Sequence, residues 1–532
     1  MSSLGCIVLL FTSTGIDCYV KRIFIVSMKK ILLITVSVLL LASCDSQQEQ
    51  QMPKPRVIVT CDPELDDMNS LIRYMLYSTD FQTEGIIYAS SGVHWKGDGK
   101  GTAQYKEGSE YARQGLGAQT EWRWDSTVRF IDEVVDAYAE SYPNLKVHDA
   151  DYPTPEYIRS IVKWGNVEFE GDYTKDTDGS NLIKQVLLDE NPAQVFVQVW
   201  GGASTLCAAL RSIEDQYKGT ANWEAVYNKV CQKLVLCLSG DQDGTYKSYI
   251  VPNWPDADTQ RAKGGVILGY GASNNQTEEN RHYYEPAWIE ENILNKGPMG
   301  RLYRVWGDGR QLGSDSFDFF GLTEQYTVDE LKEKGFTVWY PRIQPKGTFI
   351  SEGDTFCYMN LIDNGLRAWQ DQTWGGWLGR TKHGEQIDPT SILGTQFGRF
   401  GARDEVLPEF GGEIQEDMAA RLVWATTPNY ADANHYPVIT GPLAIVAAPG
   451  EKVTLKVKVS DPDGDELTMQ WKQWKVGTYE GEVTVDSPTT AQTTFTVPVD
   501  AQSGQTIHMV LETKDKGTPA MKKYLRTVIT VK

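Results

Sequence analysis

Three aspartates crowd one short stretch of this chain, RVIVTCDPELDDMNSLIRYMLYS from Arg56 to Ser78: Asp62, Asp66 and Asp67. Carboxylates so close repel one another, which is unfavourable unless a cation or a solvated face relieves them. Two readings stand side by side. Asp66 as a helix N-cap and Asp67 as a first-turn acid would both be favoured by the helix dipole. A hard-metal site would account for all three, including Asp62, fixed beside Pro63.

The elements that must position these acids are legible in the same stretch. Val57-Ile58-Val59 is a short apolar run, and Met68, Leu71, Ile72, Met75 and Leu76 recur at helical spacing. The order is strand, acidic turn, helix. In an open α/β sheet, ligands sit at the carboxyl end of such a strand. Further along, Glu84 to Ala89, Gln194 to Trp200 and Leu234 to Leu238 read as strands. Ser126 to Tyr142, Pro155 to Lys163, Ser180 to Leu188 and Leu206 to Ile213 read as helices. This alternation predicts a mostly parallel open sheet with helices on both faces. Lys332 to Tyr340 reads as one more helix–strand step. Ser351 to Leu366 reads as a second acidic turn opening an apolar helix, and Asp417 to Thr426 as the last helix.

Composition changes near His435. Lys452 to Val459 and Leu467 to Trp474 alternate with period two, and Thr493 to Val497, Ile507 to Thr513 and Tyr524 to Val531 follow. Hairpin chemistry accounts for the turn Asp461-Pro462-Asp463-Gly464-Asp465; calcium binding is the alternative. Short strands bounded by turns predict an immunoglobulin-like β-sandwich over 435–532, after an α/β domain over 56–434.

The chain has 532 residues and a net charge of −20. Without a basic patch it has no electrostatic case for nucleic acid. From Met28 it reads MKKILLITVSVLLLASC: two lysines, an apolar run short for a membrane span, then Leu41-Ala42-Ser43-Cys44. That layout resembles a lipoprotein signal. It implies lipid on Cys44 and a place at the bacterial cell envelope, with 1–55 as upstream extension, signal and tether. Cys61, Cys207, Cys231, Cys237 and Cys357 form neither a disulfide framework nor a zinc site.

Thr60-Cys61-Asp62-Pro63-Glu64-Leu65-Asp66-Asp67 resembles the nucleoside hydrolase signature, Asp-x-Asp-Pro-Gly-x-Asp-Asp. Ser91-Gly92-Val93-His94-Trp95, Trp200-Gly201-Gly202, Asn253-Trp254-Pro255, Glu352-Gly353-Asp354-Thr355 and Trp374-Gly375-Gly376-Trp377 also match one branch of that superfamily. The branch is secreted or lipid-anchored, nucleoside hydrolase-like and cellulose-binding, with a terminal β domain. The resemblance implies calcium held by Asp62, Asp67, the Trp200 carbonyl and Asp354. It gives Asp62 a second role as general base, and makes Asp66 and Asn253 sugar contacts. Ser91, Trp95 and Trp254 are further substrate-side candidates, since indole faces at strand ends can stack on sugar rings.

Thr60 and Glu64 depart from the signature. Gly353 stands where purine-tolerant enzymes often carry a histidine that protonates the leaving base. These departures turn the expectation from nucleosides towards O-glycosides and make Glu352 and His94 the candidate leaving-group acids. The expected function is calcium-dependent, inverting hydrolysis of a sugar or glycan. The alternatives are non-catalytic polysaccharide binding and ribonucleoside cleavage.

Overall fold

The computed structural model describes residues 53–532 apart from 126, 262–264, 314 and 381–409. The signal segment and Cys44 lie outside the described residues. No helix among the described residues is long and apolar enough to cross a membrane.

Six parallel strands form the central sheet: β1 (Arg56–Cys61), β2 (Gln82–Tyr88), β3 (Val162–Trp164), β4 (Val195–Val199), β5 (Leu234–Leu238) and β6 (Asp258–Arg261). Their order is β3-β2-β1-β4-β5-β6. The chain therefore builds outward from β1 in one direction and then from β4 in the other. In open α/β sheets, ligands bind outside the carboxyl ends of the strands at such a reversal. Every residue of β1 is buried, as expected for a strand covered on both faces.

The helices that cover it are α1 (Leu65–Leu76), α2 (Phe130–His148), α3 (Asp178–Leu188), α4 (Ser204–Tyr217), α5 (Trp223–Lys233) and α6 (Gly411–Thr426). Side chains alternate across a strand, so β1 feeds two cores. Val57 and Val59 pack with Leu71 and Met75 of α1, Ile131 of α2 and Met418 of α6. Ile58 packs on the other face, with Ile183 of α3 and Leu206 and Leu210 of α4.

Three expectations fail here: first, the helix read over Pro155 to Lys163 stops at Ile161, and Val162–Trp164 forms β3. Ser351 to Leu366 is not an apolar helix but two short 3-10 turns, Thr355–Cys357 and Met359–Leu361. Its backbone is spent elsewhere: the Asn364 carbonyl accepts the Tyr524 N–H at 2.8 Å, and Gly365 has φ 92°. The helix–strand step at 332–340 is a helix, Val328–Glu333, with no strand after it. Trp339 and Tyr340 instead pack as rings against Tyr270, Phe320 and Trp306.

The C-terminal strands are β7 (Val438–Thr440), β8 (Ala444–Ala447), β9 (Lys452–Lys456), β10 (Lys458–Ser460), β11 (Thr468–Trp474), β12 (Gln492–Thr496), β13 (Thr506–Lys514) and β14 (Lys522–Val531). A four-stranded sheet runs β11-β13-β14-β8, with β9 and β12, and β7 and β10, as separate antiparallel pairs. All pairings are antiparallel except β8 with β14. Val453, Leu455 and Phe495 meet Trp471, Met509, Leu511 and Ile529 in one core. The expected strand over 452–459 divides because the chain changes partner: β9 pairs with β12 as far as Lys456, and β10 pairs with β7 from Lys458. Glu413 of α6 accepts from Tyr524 and Lys522, which ties β14 to the α/β region.

Candidate functional site

The acids stand where β1 ends and α1 begins. Glu64, not Asp66, occupies the N-cap position, and its side chain makes no cap bond. Asp66 and Asp67 lie inside the first turn, and the Asp67 carboxylate reaches back to accept the Asp62 N–H at 3.1 Å. The reading of Asp66 as N-cap is thus corrected. A solvated face is excluded too, because α1 is buried along its whole length.

Glu64, Asp66 and Asp67 bring one oxygen each within 4.8 Å of one another, and Asp62, Glu64 and His94 do the same with a ring nitrogen as the third atom. Asp354 joins neither group, yet its charge acts on Asp67. Burial pushes the carboxyls of Glu64, Asp67 and Asp354 well above the usual range, and their acidic neighbours push further. Burial also raises Asp66, to about 6.

Asp62 uses one oxygen fully. Its Oδ2 accepts from Ser91 Oγ at 2.7 Å and faces His94 Nδ1 at 2.8 Å. Its Oδ1 is buried without a hydrogen-bond partner. Glycine at 201 makes room for it, since a Cβ there would stand 2.5 Å from that oxygen.

Behind His94 runs a buried chain of charges. His94 Nε2 lies 3.4 Å from Asp315 Oδ2, and Arg123 grips Asp315 through Nε at 2.6 Å and a second guanidinium N–H at 3.0 Å. Arg123 also donates to Glu110 at 3.0 Å. Its backbone is left-handed, φ 52°, a costly conformation for a non-glycine residue. Burial and Arg123 would lower the His94 pKa, but bonds to Asp315 and Asp62 outweigh them and raise it to about 9. Burial opposes ionisation of Asp315 as well, yet Arg123 and His94 hold it well below the usual carboxylate range.

The far wall comes from the 351–354 loop. Asp66 accepts from Ser351 Oγ at 3.3 Å and from the Tyr270 hydroxyl at 3.4 Å. The Asp354 N–H donates to Ser70 Oγ at 3.3 Å. The Trp200 carbonyl accepts from Gln242 at 2.6 Å, which uses one of its two lone pairs. An orphaned carboxylate oxygen, mutually repelling buried acids and a strand-end carbonyl make an all-oxygen donor set. Such a set fits a hard cation such as calcium.

Several expected site residues lie elsewhere. Glu352 is fully buried and ion-paired: Arg73 donates to it at 2.5 and 3.0 Å, Tyr303 at 2.5 Å and Thr355 at 3.0 Å. It has no route to a leaving group, so its assignment as acid is withdrawn. Trp254 is in the core, stacked on Tyr227 with centroids 5.2 Å apart. Trp95 is sealed among Tyr111 and Trp122. Neither presents a face to a sugar, because flat rings at strand ends serve here to fill space under loops. Asn253 caps its own local turn, donating to the Tyr249 carbonyl at 2.8 Å. We predict that Trp254→Phe costs about 1–3 kcal/mol by urea unfolding and leaves saccharide retention unchanged.

Glu64, Tyr270, Asp315 and Arg123 were not foreseen as site residues. Glu64 stood out only as a departure from the signature. The other three come from remote irregular segments that carry no local signal.

The family model described as "Cellulose-binding Sde182, nucleoside hydrolase-like domain" matches residues 56–381, and "Cellulose-binding protein Sde0182, C-terminal domain" matches 452–531. A nucleoside hydrolase-related protein from Saccharophagus degradans, described as associated with carbohydrate metabolism, superposes with a TM-score of 0.64 at 23% identity. The match covers 90% of this chain and 100% of that one, and shows the shared fold. A type III effector, XopQ, complexed with adenosine diphosphate ribose, matches at 13% identity over 71% of this chain and 95% of its own. Its TM-score of 0.32 is too low to bear on function. No curated protein matches the chain. From the acidic turn at the strand reversal to the terminal β strands, this chain belongs to the cellulose-binding, nucleoside hydrolase-like Sde182 family.

Proposed function

We propose that this chain binds a cellulose-like polysaccharide through the acidic crevice at the end of β1 and does not cleave it. One observation carries the reading: both candidate proton donors are sealed in ion pairs. Glu352 is held by Arg73, and His94 is held between Asp62 and Asp315. Glycoside hydrolysis needs an acid within hydrogen-bond reach of the leaving oxygen. Binding needs only acceptors for hydroxyls, which Asp66 and Glu64 supply from the crevice.

The family description and the carbohydrate association of the Saccharophagus degradans protein support a saccharide ligand. Asp62 Oδ1, Asp67, Asp354 and the Trp200 carbonyl are the groups that would hold calcium. When bound, it supplies a contact for sugar hydroxyl oxygens. The lipoprotein-like signal ending at Cys44 supports a place at the bacterial cell envelope.

The unpartnered Asp62 Oδ1 favours a second reading, inverting hydrolysis with Asp62 as general base for water. The two separate cleanly. The protein is incubated with cellulose, other insoluble glycans, soluble oligosaccharides and inosine, and retention and product are measured together. Binding predicts retention on a β-glucan with no reducing sugar or ribose released. Release from any substrate overturns it in favour of catalysis.

A further inference from the structure

The hairpin explanation of the Asp461–Asp465 turn accounts for only part of its geometry. Asp461 Oδ1 accepts the N–H groups of Asp463 and Asp465 at 2.9 and 3.0 Å, and Gly464 takes φ 84° to close the turn. That is ordinary turn chemistry. But Asp461 Oδ2 is buried and has no partner. Asp461, Asp463 and Asp465 also bring one carboxylate oxygen each within 4.8 Å of one another.

Two further orphaned oxygens come from other parts of the chain. Asp515, at the end of β13, is 2% exposed. Its Oδ1 accepts from Gly517 N–H, Met521 N–H and Asn434 Nδ2 at 2.9, 3.0 and 2.9 Å, while Oδ2 has no partner. Asn434, beyond α6, is 7% exposed. Its amide donates to Asp515 and to the Pro519 carbonyl at 2.8 Å, and its Oδ1 is unpartnered. Glycine at 517 lets it lie there, since a Cβ would run into the amide. The next residue, His435, binds Asp463 through its N–H at 2.8 Å and its ring at 3.0 Å.

We propose that Asp461, Asp463, Asp465, Asp515 and Asn434 form a calcium site where the chain leaves α6 and meets the C-terminal sheets. Each buried acceptor left unmade is unfavourable. Three such acceptors belong to segments joined by the Asn434–Asp515 and His435–Asp463 bonds, beside a turn of three carboxylates, and water cannot neutralise charge. An all-oxygen set of carboxylates and one amide carbonyl selects a hard cation. Bound there, calcium would fasten the β10–β11 turn and the end of β13 to the segment after α6.

The test is calcium titration of the metal-stripped full chain by calorimetry. The chain carries Asp67→Asn, which disables the strand-end cluster. One calcium per chain should bind, and it should raise the thermal midpoint by a few degrees. Adding Asp461→Asn with Asp463→Asn should abolish both. If that combination unfolds, Asp465→Asn alone should weaken binding about tenfold by removing one ligand charge. The site is refuted if the Asp67→Asn chain binds no calcium. It is equally refuted if calcium binds undiminished in the folded Asp461/Asp463 variant or, where that variant unfolds, in Asp465→Asn.

Discussion

Arg73→Met should cost about 3–5 kcal/mol of stability, read from urea unfolding followed by tryptophan fluorescence. Arg73 is on α1 and fully buried. It donates to Glu352 at 2.5 and 3.0 Å, to the Ile414 carbonyl at 2.9 Å and to Gln415 at 2.6 Å. One guanidinium thus joins the acidic helix, the 351–354 loop and α6. Removing it leaves the Glu352 charge buried with only Tyr303 and Thr355 as donors. Pairing the change with Glu352→Leu should recover a good part of the loss, since the penalty comes mainly from the orphaned charge. No recovery would show that Arg73 acts chiefly through α6.

Gly353→Ala should weaken saccharide binding about a hundredfold, ~3 kcal/mol, with a much smaller effect on stability. A Cβ at 353 would collide with Asp66 Oδ2. The carboxylate must then swing away from Ser351 and Tyr270, which now orient it. Gly353 is outside the left-handed region, so alanine brings no backbone strain. The change therefore moves one ligand-facing acid and little else. Calorimetric titration with a soluble β-glucan oligosaccharide reads the affinity, and a thermal scan reads the stability.

What could be read in advance divides along physical lines. β1 and α1 were legible because both cores demand their patterns: an unbroken apolar run for Val57, Ile58 and Val59, buried on both faces, and helical spacing for Leu71 and Met75. The parallel sheet and the strand-rich C-terminal region were legible for the same reason. The 351–366 segment was not, since its apolar residues mimic a helix while its backbone bonds to Tyr524. Among the acids, Asp62, Asp66 and Asp67 meet because they are neighbours in one turn. Charge partners from afar could not be anticipated. Arg73 ties Glu352 into a buried ion pair, and Arg123 with Asp315 holds His94 from behind. Tryptophans misled in another way: residue type suggests stacking on sugars, but burial decides, and Trp95 and Trp254 are interior.

The most direct test of the central claim is a titration of soluble cello-oligosaccharide into the full chain, followed by chromatography of the sugar. Saturable binding that Gly353→Ala weakens, with the oligosaccharide recovered at its original length, is the predicted result. Shortened oligosaccharide, or no binding by the unaltered chain, would contradict it.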